Sequence, residues 1–223
     1  MAPRDFLREL ATLGLVREQR RKAPERWVLD VYPGLRDVAV DMGEITYSQS
    51  GMGPYEQYVL CGLASLIQPG RIFEIGTFEG ATTLLLARAA PSAEVLTLDL
   101  APGIPIAAEV AHEREAVNSA RIGVRFRDAG ESGRIVQLLG DSTTFDFSPW
   151  FDSCDLVLVD GSHAREAVAS DTANAMNLIH DSGTIIWDDY LPGWPGVVAA
   201  VDELRDRRIV HLANTTLAVL VPD

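Results

Sequence analysis

Five acids stand where the sequence changes from short apolar runs to turns: Glu74, Asp99, Asp141, Asp160 and the adjacent pair Asp188-Asp189, the pair counted once. Each follows or closes a β-rich run, so all are candidates to line one edge of a sheet. A carboxylate can accept hydrogen bonds from sugar hydroxyls, coordinate a hard cation, or hold a proton. Singly such residues are common at loop starts; their coincidence at one edge is the signal. Asp160 is followed by Gly161-Ser162-His163, and a histidine titrates near neutral pH, so His163 is a candidate general base. Its alternative is a cap on the helix that follows. Asp188 and Asp189 repel each other unless exposed or bound to a cation, and with Asp160 they would form a three-carboxylate site for Mg²⁺ or a similar ion.

The first of these acids sits in Phe73-Glu74-Ile75-Gly76-Thr77-Phe78-Glu79-Gly80, leading into Ala81-Thr82-Thr83. Glycines at Gly76 and Gly80 permit a sharp turn and a close approach of a ligand to the main chain. A helix N-terminus follows, suited to an anionic group. The spacing G-x-x-x-G lacks the middle glycine of a dinucleotide fingerprint, and no Lys-Ser/Thr follows Gly80 as a P-loop requires.

The elements that must position these residues alternate. Helical spacing covers Tyr55–Ile67, Ala81–Ala89, Ala107–Asn118, Ala164–Ile179 and Val197–Arg207. Between them lie apolar runs at Arg71–Ile75, Val95–Leu98, Ile135–Leu139, Asp155–Val159 and Thr184–Trp187. Ile209–Ala213 and Leu217–Val221 flank Asn214-Thr215-Thr216 as a hairpin. Repeated β–α alternation with near-continuous apolar strands predicts an α/β, doubly wound, mostly parallel sheet of seven strands, with helices on both faces and an antiparallel hairpin at the C-terminal end. In such sheets ligands bind beyond the carboxyl ends of the strands.

Taken together, E-x-G-x-x-x-G after the first strand, an acid after the second and Gly-Asp-Ser after the third resemble the class I methyltransferases that use S-adenosyl-L-methionine (SAM), with their Rossmann-like fold. The resemblance covers about residues 55–222. It implies that Glu74, Gly76, Thr77, Phe78 and Gly80 line the methionine end of SAM, that Asp99 takes the ribose hydroxyls, and that Asp141 and Ser142 lie beside the adenine, with Asp160 at the cofactor's edge. The chain further resembles the metal-dependent small-molecule O-methyltransferases of catechol and antibiotic-sugar type. That implies Asp160, Asp188 and Asp189 as metal ligands, and His163 and Asp160 as catalytic residues. The Asn of the catechol-type pair is absent, and a register slip of one residue would instead offer Asp189-Tyr190.

The implied activity is transfer of a methyl group to a hydroxyl of a sugar-like or phenolic metabolite, with SAM and a divalent cation such as Mg²⁺. Two rivals stand beside it: an NAD-dependent oxidoreductase on a similar sheet, and a non-catalytic cofactor-binding module. Trp150, Trp187, Tyr190 and Trp194 either floor an acceptor pocket or simply pack. The arginines Arg121, Arg125, Arg127 and Arg134 either form a cover for an anionic acceptor or belong to a solvated loop.

Composition bounds these readings. The chain has 223 residues, 47% hydrophobic and 23% charged, enough for one packed domain. Its formal charge of −13 disfavours nucleic acid as a partner. No apolar run is long enough to span a bilayer, and the charged start, MAPRDFLREL, does not read as a secretory signal, so a cytoplasmic location without membrane association is expected. Cys61 and Cys154 read as buried free thiols. Residues 1–26 carry seven basic groups against four acidic ones, +3, which leaves −16 on the rest. Phe6, Leu7, Leu10, Leu13 and Val16 have helical spacing ahead of Arg20-Arg21-Lys22. The expected division is a helical extension over 1–50, serving as surface helix, lid or dimer arm, and a SAM-binding domain over 51–223. A homodimer follows by resemblance alone.

Overall fold

The computed structural model describes residues 21–40, 52–102, 121–206 and 208–222. The amphipathic run at 6–16 and the helix expected over 107–118 lie outside them. A two-residue strand, β1 (Glu25–Arg26), leads to a short helix, α1 (Val28–Val31), and a 3-10 turn at Pro33–Asp37. The alternation then runs α2 (Pro54–Ile67), β2 (Arg71–Ile75), α3 (Ala81–Ala89), β3 (Glu94–Asp99), α4 (Val124–Asp128), β4 (Ile135–Leu139), β5 (Cys154–Val159), α5 (Arg165–Leu178), β6 (Ile179–Trp187) and α6 (Pro195–Glu203). The hairpin β7 (Ile209–Leu212) and β8 (Ala218–Leu220) closes it.

The strands form one sheet in the order β1-β7-β8-β6-β5-β2-β3-β4. β8 is antiparallel to both β6 and β7; the other pairings are parallel. This is the expected doubly wound arrangement with one more strand. The addition is β1, whose Glu25 and Arg26 pair with His211 and Leu212 of β7. Two residues carry too little periodicity to be read as a strand from sequence.

Side chains alternate across a strand, so each strand feeds two cores. On one face Phe73, Ile75, Leu96, Leu98, Val157, Val159, Ile185 and Trp187 pack with Val168, Ala175 and Leu178 of α5 and Val197, Val198 and Val201 of α6. On the other, Ile72, Val95, Leu156, Leu158, Ile186 and Val219 pack with Val59, Leu60 and Leu63 of α2, Leu86 and Ala87 of α3, and Phe126 of α4. Burying each large apolar side chain contributes about 1.5–3 kcal/mol. This is why Leu156–Val159 of β5 and Ile185–Trp187 of β6 read as unbroken hydrophobic runs.

Several boundaries differ from expectation by a few residues, among them α6, which begins at Pro195 and ends at Glu203 rather than running from Val197 to Arg207. α5 ends at Leu178, and β6 begins at once, with Cys154 opposite Ile179 but Leu156 opposite Thr184. The extra residues bulge outward, where His180 pairs with Asp155 at 2.9 Å. In α2, Pro54 occupies the first turn and Glu56 accepts from the Gly53 amide at 2.8 Å, so the helix starts just ahead of the expected Tyr55. Cys61 and Cys154 are buried and free, as expected, and burial raises their thiols to about 12 and about 11. Among the described residues no helix is long and apolar enough to cross a membrane.

Candidate active site

β2 ends in the glycine turn. Gly76 has φ +102° and its amide donates to Leu98 O at 2.8 Å. A Cβ there would lie 2.0 Å from the carbonyl oxygen of Asp160, so only glycine lets β2 and the loop after β5 approach this closely. Gly80, at φ +80°, would drive a Cβ to 2.6 Å from the Phe126 ring. Phe78 also has positive φ, and its ring is partly exposed. Asp99, closing β3, holds the turn: its Oδ2 accepts from the amides of Thr77 at 3.1 Å and Phe78 at 2.6 Å, and Oδ1 from Leu100 N at 2.7 Å. Burial raises its pKa against the lowering effect of those three amides. Thr77 turns its hydroxyl inward, to Thr97 at 2.7 Å and the Gln137 amide at 3.1 Å, and so offers only main chain to the turn's outer side.

Glu74 lies beneath this turn, 1% exposed. Its Oε2 accepts from the Thr83 and Thr97 hydroxyls, while Oε1 is buried without a partner. Burial pushes its pKa up to about 8, opposed by the two threonines and reinforced by the charge of Asp99. Burial thus favours the neutral form of this carboxyl.

Beyond β4, Asp141 Oδ1 accepts from the Thr143 amide at 2.9 Å and hydroxyl at 2.7 Å, a local turn. The next residue is held from α5: Asn174 donates to Ser142 O at 3.2 Å, and Asp171 bonds the Ser142 side chain. Asp171 is 1% exposed, with Oδ1 lacking a partner, and burial raises its pKa to about 6. Sequence reasoning missed it. The signal was there: Asp171 falls in the stripe Val168, Asp171, Thr172, Ala175, Leu178 that faces the core.

The remaining acids come together. Asp160 follows β5, its amide donating to Ile75 O at 2.8 Å, and Asp188 follows β6, its amide donating to Val159 O at 3.1 Å. Asp160, Asp188 and Asp189 each bring one carboxylate oxygen into a group whose atoms lie within 4.8 Å of one another. Burial, then the charges of Asp188 and Asp189, raise Asp160 well above the usual carboxylate range. Asp188 rises to about 7 through burial and the charge of Asp189, opposed by the Thr216 hydroxyl and the Asp189 amide. β6 ends at Trp187, so the pair is Asp188-Asp189 and the slipped register does not occur.

His163 joins this group. Its Nε2 lies 2.7 Å from Asp189 Oδ2, and its ring stacks on Trp194 at 3.9 Å between centroids and 12° between planes. The N-cap position of α5 is Ala164, which has no side-chain cap bond, so His163 precedes the cap; Ser162 Oγ accepts from the Ala164 amide at 3.3 Å. Val159, Asp160, Ser162, His163, Asp188 and Asp189 line a small cleft of about 10 Å³ that opens to solvent.

Two expectations resolve toward packing. Trp187 and Tyr190 are fully buried; Trp187 Nε1 donates to Thr172 Oγ1 at 2.9 Å and the Tyr190 hydroxyl to Asp202 at 2.6 Å. Trp150 packs edge-on to Phe73; buried Trp187 backs the cleft, and Trp194 reaches it only through the His163 ring on which it stacks. The arginines are engaged by the protein. Arg121 and Arg125 pair with Glu79 at 2.8 and 2.9 Å, Arg127 donates to Ile122 O at 2.5 Å, and Arg134 donates to Ala87 O at 2.9 Å. The stretch they occupy contains α4 rather than loop alone.

A family model described as a methyltransferase domain matches residues 73–190, from β2 through the acid pair. Among curated proteins no sequence match is found. Solved structures are similar over essentially the whole chain. Cofactor-bound Rv0187 from MTB is 20% identical with TM-score 0.56, covering 100% of this chain and 99% of its own. The SAH-bound methyltransferase PaMTH1 from Podospora anserina is 17% identical with TM-score 0.55, covering 99% and 97%. The O-methyltransferase TomG from Streptomyces achromogenes, in complex with SAM and involved in tomaymycin synthesis, is 17% identical with TM-score 0.55, covering 100% of both. At these identities the likeness is one of fold.

Proposed function

The chain belongs to the methyltransferase-domain family matched over residues 73–190, and on that premise we propose that it transfers a methyl group from SAM to a hydroxyl of a small molecule, assisted by a divalent cation. The observation that carries this reading is the contact between its two halves. Gly76, in the turn that would face SAM, packs against the main chain of Asp160, which belongs to the carboxylate cluster. Cofactor and acceptor sites would therefore be contiguous, as transfer between them requires.

SAM supplies, when bound, a methyl group made electrophilic by a sulfonium. The chain's part is to bind and orient it. Asp99 is already fixed by three amides and keeps acceptor capacity on Oδ1 for ribose hydroxyls. The main chain of Gly76–Gly80 would line the methionine end, above Glu74, and Asp141-Ser142, gripped from α5, would flank the adenine.

The acid cluster fits a hard divalent cation. It offers three carboxylate oxygens close together, and burial, reinforced by their mutual repulsion, raises the pKa of Asp160 and Asp188, as expected of ligands awaiting a positive charge. Asp160, Asp188 and Asp189 would hold the ion, which would lower the pKa of an acceptor hydroxyl bound to it. His163, paired with Asp189 and braced by Trp194, is placed to receive the proton that the hydroxyl gives up. The His163 ring, backed by Trp194, forms part of the cleft wall and would shield the reacting oxygen from water. A phenolic or sugar-like acceptor, a cytoplasmic location and a homodimer, with residues 1–50 as lid or dimer arm, complete the reading.

Thermal shift with S-adenosyl-L-homocysteine (SAH) against NAD tests it. SAH is expected to stabilise the protein and NAD to leave it unchanged. Asp99→Ala should weaken SAH binding at least about tenfold, the scale of lost hydrogen bonds to a charged acceptor. Stabilisation by NAD alone, or wild-type SAH affinity in Asp99→Ala, would contradict the assignment.

A further inference from the structure

The hairpin turn between β7 and β8 does more than reverse the chain. Thr215 fixes it: its hydroxyl donates to Leu212 O at 2.7 Å and accepts from Leu217 N at 3.0 Å, with the residue 2% exposed. That leaves Thr216 with three bonds to two other parts of the chain, the loop after β6 and the start of α2. Its hydroxyl donates to Asp188 Oδ1 at 2.5 Å, its amide donates to Glu56 Oε1 at 3.0 Å, and its carbonyl accepts from Tyr190 N at 2.8 Å. Glu56 is held in turn at the start of α2, where its Oε2 accepts from the Gly53 amide at 2.8 Å.

The consequence falls on Asp188. Its Oδ1 takes the Thr216 hydroxyl and the Asp189 amide at 2.7 Å, so both protein donors converge on one oxygen. Oδ2, which neither donor engages, is then the oxygen available to the cluster with Asp160 and Asp189. A carboxylate free to rotate would offer either oxygen, or turn away from two like charges. Donors locked onto one side remove that freedom before any ion arrives. The Tyr190 bond adds to this, because Asp189 lies between Asp188 and Tyr190 in a left-handed conformation, φ +56°, which costs energy unless its neighbours are fixed.

We propose that Thr216 is a positioning residue for the carboxylate cluster: its hydroxyl orients Asp188 for cation binding, and its bond to Glu56 ties that carboxylate to the start of α2. The inference rests on the metal-assisted reading above and adds to it a residue outside the strand ends. Partners in the outer shell of a metal site typically change affinity by ten- to a hundredfold when removed.

The test is Mn²⁺ binding to the full chain, followed by electron paramagnetic resonance, with SAH affinity measured in parallel by calorimetry. Thr216→Val keeps size and backbone bonds but removes the hydroxyl. It should weaken Mn²⁺ binding by about ten- to a hundredfold and leave SAH affinity unchanged. Thr216→Ser should restore Mn²⁺ affinity, which a purely packing role for the methyl group would not allow. Wild-type Mn²⁺ affinity in Thr216→Val, or loss in the serine variant as well, overturns the positioning role while leaving the metal reading intact. A wild-type protein that binds no Mn²⁺ overturns the metal reading itself and this inference with it.

Discussion

The two halves of the strand-end edge are built on opposite electrostatic plans. Over β2 and β3 the acids are answered by the protein itself: three amides converge on Asp99, and two hydroxyls on Glu74. Over β5 and β6 the acids mainly face one another. Asp160 and Asp188 are raised by burial and like charges, with a hydroxyl and a backbone amide on Asp188 and a histidine on Asp189 as the principal relief. On the function proposed above, the first half would cradle the hydroxyl-bearing part of SAM. The second stores repulsion that a cation would discharge. The difference teaches that acids at one sheet edge need not share a role. Their hydrogen-bond partners, more than their positions, separate them.

The comparison can be broken most severely where its halves touch. Gly76→Ala would push a Cβ to 2.0 Å from Asp160 O at a residue with φ +102°. The expected loss is about 3 kcal/mol or more of stability by urea denaturation, with both SAH and cation binding impaired. Wild-type stability, or loss of one ligand only, would show the halves to be independent.

A smaller effect sharpens the description of the first half. Glu74 is raised from 4.5 to about 8, so the folded protein holds this proton more tightly than the unfolded chain. Stability from that group is fully present below about pH 4.5 and is lost as pH rises toward 8. Glu74→Gln cannot ionise, so its stability should fall less over that interval. The expected difference at pH 8 is on the order of a few degrees in Tm. Parallel pH profiles for the two proteins would mean that Glu74 is not buried as a neutral acid.

Much of this was legible in the sequence, because strong local patterns specify it. The apolar runs ending at Ile75, Val159 and Trp187 gave the strand ends, and the acids beside them fell at the expected edge. G-x-x-x-G signalled a sharp turn, and Gly76 and Gly80 both have positive φ. What escaped was set by long-range contact. Thr216 looked like any hairpin residue, because its partners Glu56 and Asp188 lie 160 and 28 positions away. β1 is strand only because β7 accepts it. Tyr190, read as a candidate pocket wall, is buried because its hydroxyl meets Asp202 and the amides of Lys22 and Ala23, the last two from a segment that composition marked only as basic.

The central claim, a preformed cofactor cradle beside a cation-requiring acid cluster, is tested most directly by calorimetric titration of metal-stripped protein. SAH should bind with the same affinity in EDTA and in Mn²⁺, and one Mn²⁺ should bind per chain. SAH binding that depends on the cation, or the failure of any divalent ion to bind, would contradict it.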